Sequence, residues 1–188
     1  MNEFRKKDSL VPSLLVLILL CFVFFLINHE TNKYFNYADS NESPPALYIK
    51  IYQTTSLLLS TLLPILLAMF YTVTTYLMAN VINYSISIRD LFRIVLTSFS
   101  PILVISAFLY VLLAQNFNHG NINKNIMQTE ILGTFTLNDF NLISKFAWTI
   151  FYLLFMYLLK KHNSDNFIKI LICSLTPTIV YWVISTFI

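Results

Sequence analysis

The sequence is short of glycine, of histidine and of charge, and each shortage removes a class of function. Its 188 residues hold two glycines, Gly120 and Gly133, both in one polar stretch. Walker-type and dinucleotide-binding loops use several glycines to bring the backbone against phosphate, and a Gly-x-Ser-x-Gly elbow places them around a nucleophilic serine. Neither can be assembled here. His29, His119 and His162 stand singly in three separate loops, so the His-Glu-x-x-His helix of an intramembrane metalloprotease is missing and the three read as solvated loop residues. Cys21 and Cys173 lie inside apolar runs without a partner at metal or redox spacing, where a free thiol acts as a small hydrophobe. No catalytic, cofactor-binding or metal site is assigned, and no cofactor is expected.

Charged residues make up 11% of the chain, against roughly 25% in ordinary soluble domains. The net charge of +3 is too small and too dispersed for a nucleic-acid footprint, which needs Lys and Arg clustered on one face. What fills the chain instead is apolar: 57% of the residues are hydrophobic and 16% aromatic. A soluble fold of this size cannot cover itself with so few charges. The expected fold class is all-α, a single polytopic membrane domain over residues 1–188. Nine Lys against three Arg and an Asn-rich composition suit an AT-rich bacterial genome, so a multi-pass protein of a bacterial plasma membrane is the expectation.

Five spans are read from the hydropathy, over about 9–28, 52–80, 91–114, 142–159 and 167–188, with longer loops at 29–51 and 115–141. Ser9 to Asn28 is an uncharged run of 20 residues, about 30 Å of helix and enough to cross a bilayer core. It runs through Phe22, Phe24, Phe25 and Leu26 into Asn28, His29 and Glu30 with no small-residue cleavage site, so it is an uncleaved span. Ile51 to Ile88 is uncharged for 38 residues and is assigned one helix kinked at Pro64, with a broken or re-entrant pair as the alternative. Ser87 and Asp90 have capping-box spacing before the third span, which carries Pro101, and Thr136 and Asp139 repeat it before the fourth. Ile126, Met127, Glu130, Ile131 and Leu132 suggest a short amphipathic turn on the membrane surface.

An odd number of spans puts the termini on opposite sides, and cytoplasmic loops favour cations. With the N-terminus inside, Arg5, Lys6, Lys7, Arg89, Arg93, Lys160, Lys161 and Lys169 face the cytoplasm, against Lys33, Lys50, Lys124 and Lys145 outside. The cations therefore assign a cytoplasmic N-terminus and an outside C-terminus. The interiors of the five spans hold no Asp, Glu, Arg or His, and Lys145 and Lys169 fall near span ends, whereas pumps, proton-coupled transporters and voltage sensors need ionisable groups at membrane depth. An enzyme is not expected. Ser and Thr within the spans read as interhelical packing, with Ser98 or Ser100 beside Pro101 and Ser174 or Thr178 beside Pro177 placed to re-satisfy carbonyls freed by proline. Tyr48, Tyr52, Trp148, Tyr152, Tyr181 and Trp182 read mainly as interfacial anchors.

From Val81 to Ile188 the chain resembles the Yip1 family of small five-span membrane proteins. The likeness lies in "NYSISIRDLFRIVLTSFSP", with Pro101 early in the third span after Arg89 and Arg93; in "LISKFAWTIFYLLFMYL", with Trp148; and in "KKHNSDNFIKILIC", a basic end, a Ser/Asp turn and a Lys leading into the last span. The resemblance implies the same topology and carries no catalytic residues. Two departures stand: about nine residues precede the first span, so the Rab-linked trafficking role of long eukaryotic members is not transferred, and Val81, Ile82, Asn83 and Tyr84 replace family glycines at the second-to-third span turn. The expected function is a non-enzymatic scaffold or accessory factor that binds and assembles or modulates another integral membrane protein or transport complex. The alternatives are immunity against a membrane-active toxin, with Gln115 to Asn141 as the contact loop, and a permease-like transport subunit. Membrane lipids and another membrane protein are the expected partners, with homo-oligomerisation open.

Overall fold

The computed structural model describes residues 10–38, 46–117, 130–132, 135–163 and 166–187. Six helices follow in order: α1 (Val11–Ala38), α2 (Ala46–Val81), α3 (Ile88–Ser98), α4 (Ser100–Phe117), α5 (Leu137–His162) and α6 (Phe167–Phe187). They form five stretches long and apolar enough to cross a membrane, because α3 and α4 together make one of them. The only strands among the described residues are β1 (Glu130–Leu132) and β2 (Phe135–Thr136), paired antiparallel with Glu130 opposite Thr136 and Leu132 opposite Phe135. The surface turn expected at 126–132 is thus a strand over its last three residues, while Ile126 and Met127 lie outside the described residues.

The uncharged run is carried from Ile51 to Val81 by one continuous helix, with Pro64 inside it, and its remainder forms the turn into α3. The third span behaves differently. Pro101 cannot donate to the carbonyl of Thr97, and its ring crowds that carbonyl. The chain responds by closing α3 with Phe99 N–H on Leu96 O at 3.2 Å and restarting as α4, where Leu103 N–H reaches Phe99 O at 3.0 Å. Pro101 then occupies the first turn of a new helix, where a missing N–H costs nothing.

That break sets the architecture. Around the bundle each helix touches the next in the order α1, α2, α6, α5, α4 and back to α1, and α3 stands inside this ring at one end, against α1, α2 and α5. Its sequence suits the place. Leu91, Ile94, Val95 and Ser98, at helical spacing, are buried together with Leu96, while Arg89, Asp90 and Arg93 occupy the other side. The remaining helices are apolar nearly all round, the pattern of helices surrounded by other protein or by lipid.

Ser87 is the N-cap of α3, and its hydroxyl oxygen accepts the N–H of Asp90 at 3.1 Å. The second half of the expected capping box is altered: the Asp90 carboxylate accepts the Ser87 hydroxyl at 2.6 Å instead of a backbone N–H. The expected loops are shorter than read from hydropathy, since α1 runs on to Ala38 and α5 begins at Leu137.

Candidate functional site

Chemistry-bearing side chains gather in three places, at the middle of the bundle and near its two ends. The middle one forms around Phe99, which the α3–α4 break drives into the core at 1% exposure. Phe99 stacks at a tilt on Phe151, with ring centres 5.0 Å apart, and meets Tyr71 edge-on at 6.1 Å and Trp148 at 6.4 Å. Tyr71 in turn meets Phe151 edge-on at 5.2 Å. Such contacts contribute about 0.5–1.5 kcal/mol each beyond area burial. Trp148, Phe151, Tyr152 and Phe155 follow i, i+3, i+4, i+7 spacing on α5, which puts them on one face. Trp148 and Tyr152 are half-buried and packed against the core by this face, whereas Tyr52, Tyr181 and Trp182 are exposed.

The tyrosine hydroxyls of this cluster meet across three helices. Tyr71 Oη on α2 lies 2.5 Å from Tyr152 Oη on α5, which lies 2.5 Å from Thr178 Oγ1 on α6. Next to Tyr71 on α2, Thr72 donates to Ala68 O at 2.7 Å. Thr75, fully buried, has no hydrogen-bond partner among the described residues; the carbonyl one turn behind it, Tyr71 O, is approached at 3.4 Å by Thr74 Oγ1 instead. The hydroxyls near the prolines do not serve the freed carbonyls as expected. Ser98 donates to Ile94 O, Ser174 to Leu171 O, and Thr178 is spent on Tyr152.

At one end, the turn between α2 and α3 is clasped by the junction of α5 and α6. Tyr84 donates its buried hydroxyl to Leu159 O at 2.7 Å, Asn163 Nδ2 reaches Ser85 O at 3.4 Å, and Lys169 Nζ reaches Asn83 O at 3.3 Å. His162 Nε2 lies 3.5 Å from Asp90 Oδ2, an ion pair whenever the imidazole is protonated. Asn83 makes the turn by taking a left-handed φ of 54°, the conformation glycine supplies without cost and asparagine tolerates.

At the other end, Asn32 Nδ2 donates to Asn28 Oδ1 at 2.8 Å, and Asn28 Nδ2 donates to Ser56 Oγ at 3.0 Å, joining α1 to α2. A groove of about 370 Å³ runs beside this pair, lined by Asn28, Tyr52, Thr55, Ser56, Leu59, Ser60 and Leu63. His29 Nδ1 lies 3.7 Å from Glu30 Oε1, and Glu30 is buried. His29 and His162 thus sit at opposite ends, and no group of three His, Cys, Asp or Glu side chains converges among the described residues. His119 and most of the loop from Gln115 to Asn141 lie outside them.

Thr75 apart, the described hydroxyls of the bundle middle bond to helix carbonyls or to one another, and at the α2–α3 end the Ser87 hydroxyl is held by the Asp90 carboxylate, which also faces His162. The stripe on α5 is legible in hindsight from the spacing of Trp148, Phe151 and Phe155, but Tyr71 is marked only by its small neighbours Ala68, Thr72, Thr75 and Ala79. Comparison with protein-family models, with curated proteins and with solved structures returns no match.

Proposed function

We propose that this chain is a non-enzymatic membrane scaffold or accessory factor, set in a bacterial plasma membrane with its N-terminus inside, that binds another integral membrane protein or transport complex from the side. One observation carries the reading. From Tyr181 to Thr186 every residue of α6 is exposed, so among the described residues the last turns of this helix bury no stripe, whereas the other helices bury one along much of their length. Tyr181 and Trp182 are each 66% exposed, and such aromatic side chains, with an apolar body and a hydrogen-bonding tip, are favoured in protein interfaces. The hydroxyls of Ser185 and Thr186 are turned back on Trp182 O and Val183 O, which leaves an outer surface fit for close helix packing. The likeness to the Yip1 family supports the same role.

The test is photocrosslinking in intact membranes from a reactive residue placed at Ile179 or Trp182. Recovery of one other membrane protein at either position is expected; adducts with lipid alone at both would overturn the scaffold. A transport subunit is the second reading, favoured by the meeting of Tyr71, Tyr152 and Thr178 hydroxyls within the bundle. Labelling of cysteines at 72, 75 and 98 by a water-soluble reagent would support it, and complete protection would dispose of it.

A further inference from the structure

Two basic segments far apart in sequence end up on one patch. Arg89 lies in the first turn of α3, and Lys160 lies in the last turn of α5. The bonds from Tyr84 to Leu159, Asn163 to Ser85 and His162 to Asp90 hold these segments side by side. Arg89 and Lys160 are exposed and carry no ion pair among the described residues. The Asp90 carboxylate at this end is occupied by the Ser87 hydroxyl and His162.

We infer that this end of the bundle is a binding surface for the phosphodiester headgroups of anionic phospholipids, with Arg89 and Lys160 as the contacting cations. Three features favour a lipid over an acidic protein or a nucleic acid. The cations sit where apolar stretches begin and end, which the proposed membrane placement puts at the level of headgroups rather than beyond them. Helix α3 is amphipathic, with its charged side chains on the face away from the core. The segments that carry the two cations are also joined by the turn and its clasp, so the fold brings the cations to one end of the bundle instead of leaving them on a tail. Basic surfaces between helix ends are suited to anionic headgroups for these reasons.

The inference rests on the membrane placement proposed above but not on the scaffold role. The full chain is reconstituted in vesicles of equal phosphatidylglycerol and phosphatidylcholine with matched acyl chains, and the lipids that stay bound on gentle extraction are counted by native mass spectrometry. Phosphatidylglycerol enrichment is expected, falling about fivefold for Arg89→Gln and again for Lys160→Gln, and collapsing in 1 M salt. Lys50→Gln, at the opposite end, keeps the enrichment and controls for general loss of charge. Equal retention of the two lipids, the same enrichment in the double variant, an equal loss in Lys50→Gln, or displacement of lipid by an acidic protein would each overturn the inference. Failure of the chain to float with vesicles would overturn the membrane placement as well, and the crosslinking readout at α6 separates either result from failure of the scaffold.

Discussion

Replacing Thr75 by valine should make the bundle more stable. Valine has the shape of threonine, so no cavity opens, and what disappears is a hydroxyl that is fully buried and without a partner among the described residues. An unmet buried polar group costs about 1–3 kcal/mol. In the separated helix Thr75 can turn its hydroxyl onto Tyr71 O, so the loss belongs to the folded state and is removed by the substitution. The expected gain is about 1–2 kcal/mol, a factor of about 5–30 in the folded fraction. Thr72→Val is the internal control. Thr72 is equally hidden, at 4% exposure, but its hydroxyl is bonded to Ala68 O within its own helix, a bond kept whether or not the helices pack. Its substitution should stay within about 0.5 kcal/mol of zero. Both variants are measured by reversible detergent-driven unfolding in mixed micelles, following Trp148 fluorescence in a Trp182→Phe background. A Thr75→Val variant destabilised by about 1 kcal/mol or more would mean that the hydroxyl is satisfied, by an internal water, and would refute the description of a dry, unpaired group.

Three further outcomes follow from the geometry. Tyr84→Phe removes the hydroxyl that ties the α2–α3 turn to α5, and should cost about 0.5–1.5 kcal/mol in the same unfolding assay, since Leu159 O retains the N–H of Asn163. Asn83→Val places a β-branched residue at a φ of 54° and should cost about 1–2 kcal/mol, whereas Asn83→Gly should be neutral or slightly stabilising; equal effects of the two would show that the left-handed turn is not adopted. A reporter that works only in the cytoplasm should be silent when fused after Ile188 and active when fused before Met1, and the reverse pattern would overturn the proposed orientation.

Much of the fold is legible from hydropathy because an apolar run of twenty residues has few structural options. Continuity of α2 through Pro64 follows from the absence of any polar turn near it. The break at Phe99 is not legible, because a proline in an apolar run can either kink a helix or begin a new one, and only the packing of α3 inside the ring selects the second. Trp148 and Tyr152 are ambiguous in the sequence for a similar reason. Their rings suit both a headgroup layer and a core with a hydroxyl partner, and the partners, Phe99, Tyr71 and Thr178, come from other helices. Of the candidate sites, the sequence marks the basic segments but not their meeting, since the bonds that join them involve Tyr84, Ser85 and Leu159, none of which carries a signal of its own.

The placement of α3 also orders the assembly of the bundle. At 11 residues it is about 16 Å long, half of a bilayer core, and its charged face prevents it from lying in lipid alone. The apolar length of its stretch is completed by α4, while part of its burial comes from α5, made later in the chain. A nascent chain that ends after α4 has the ring open on the side that α5 and α6 will close, with Leu91, Val95 and Phe99 lacking part of their cover. The last two helices therefore act as the closing wall, and the interval between synthesis of α4 and arrival of α5 is when the inner face of α3 is least covered.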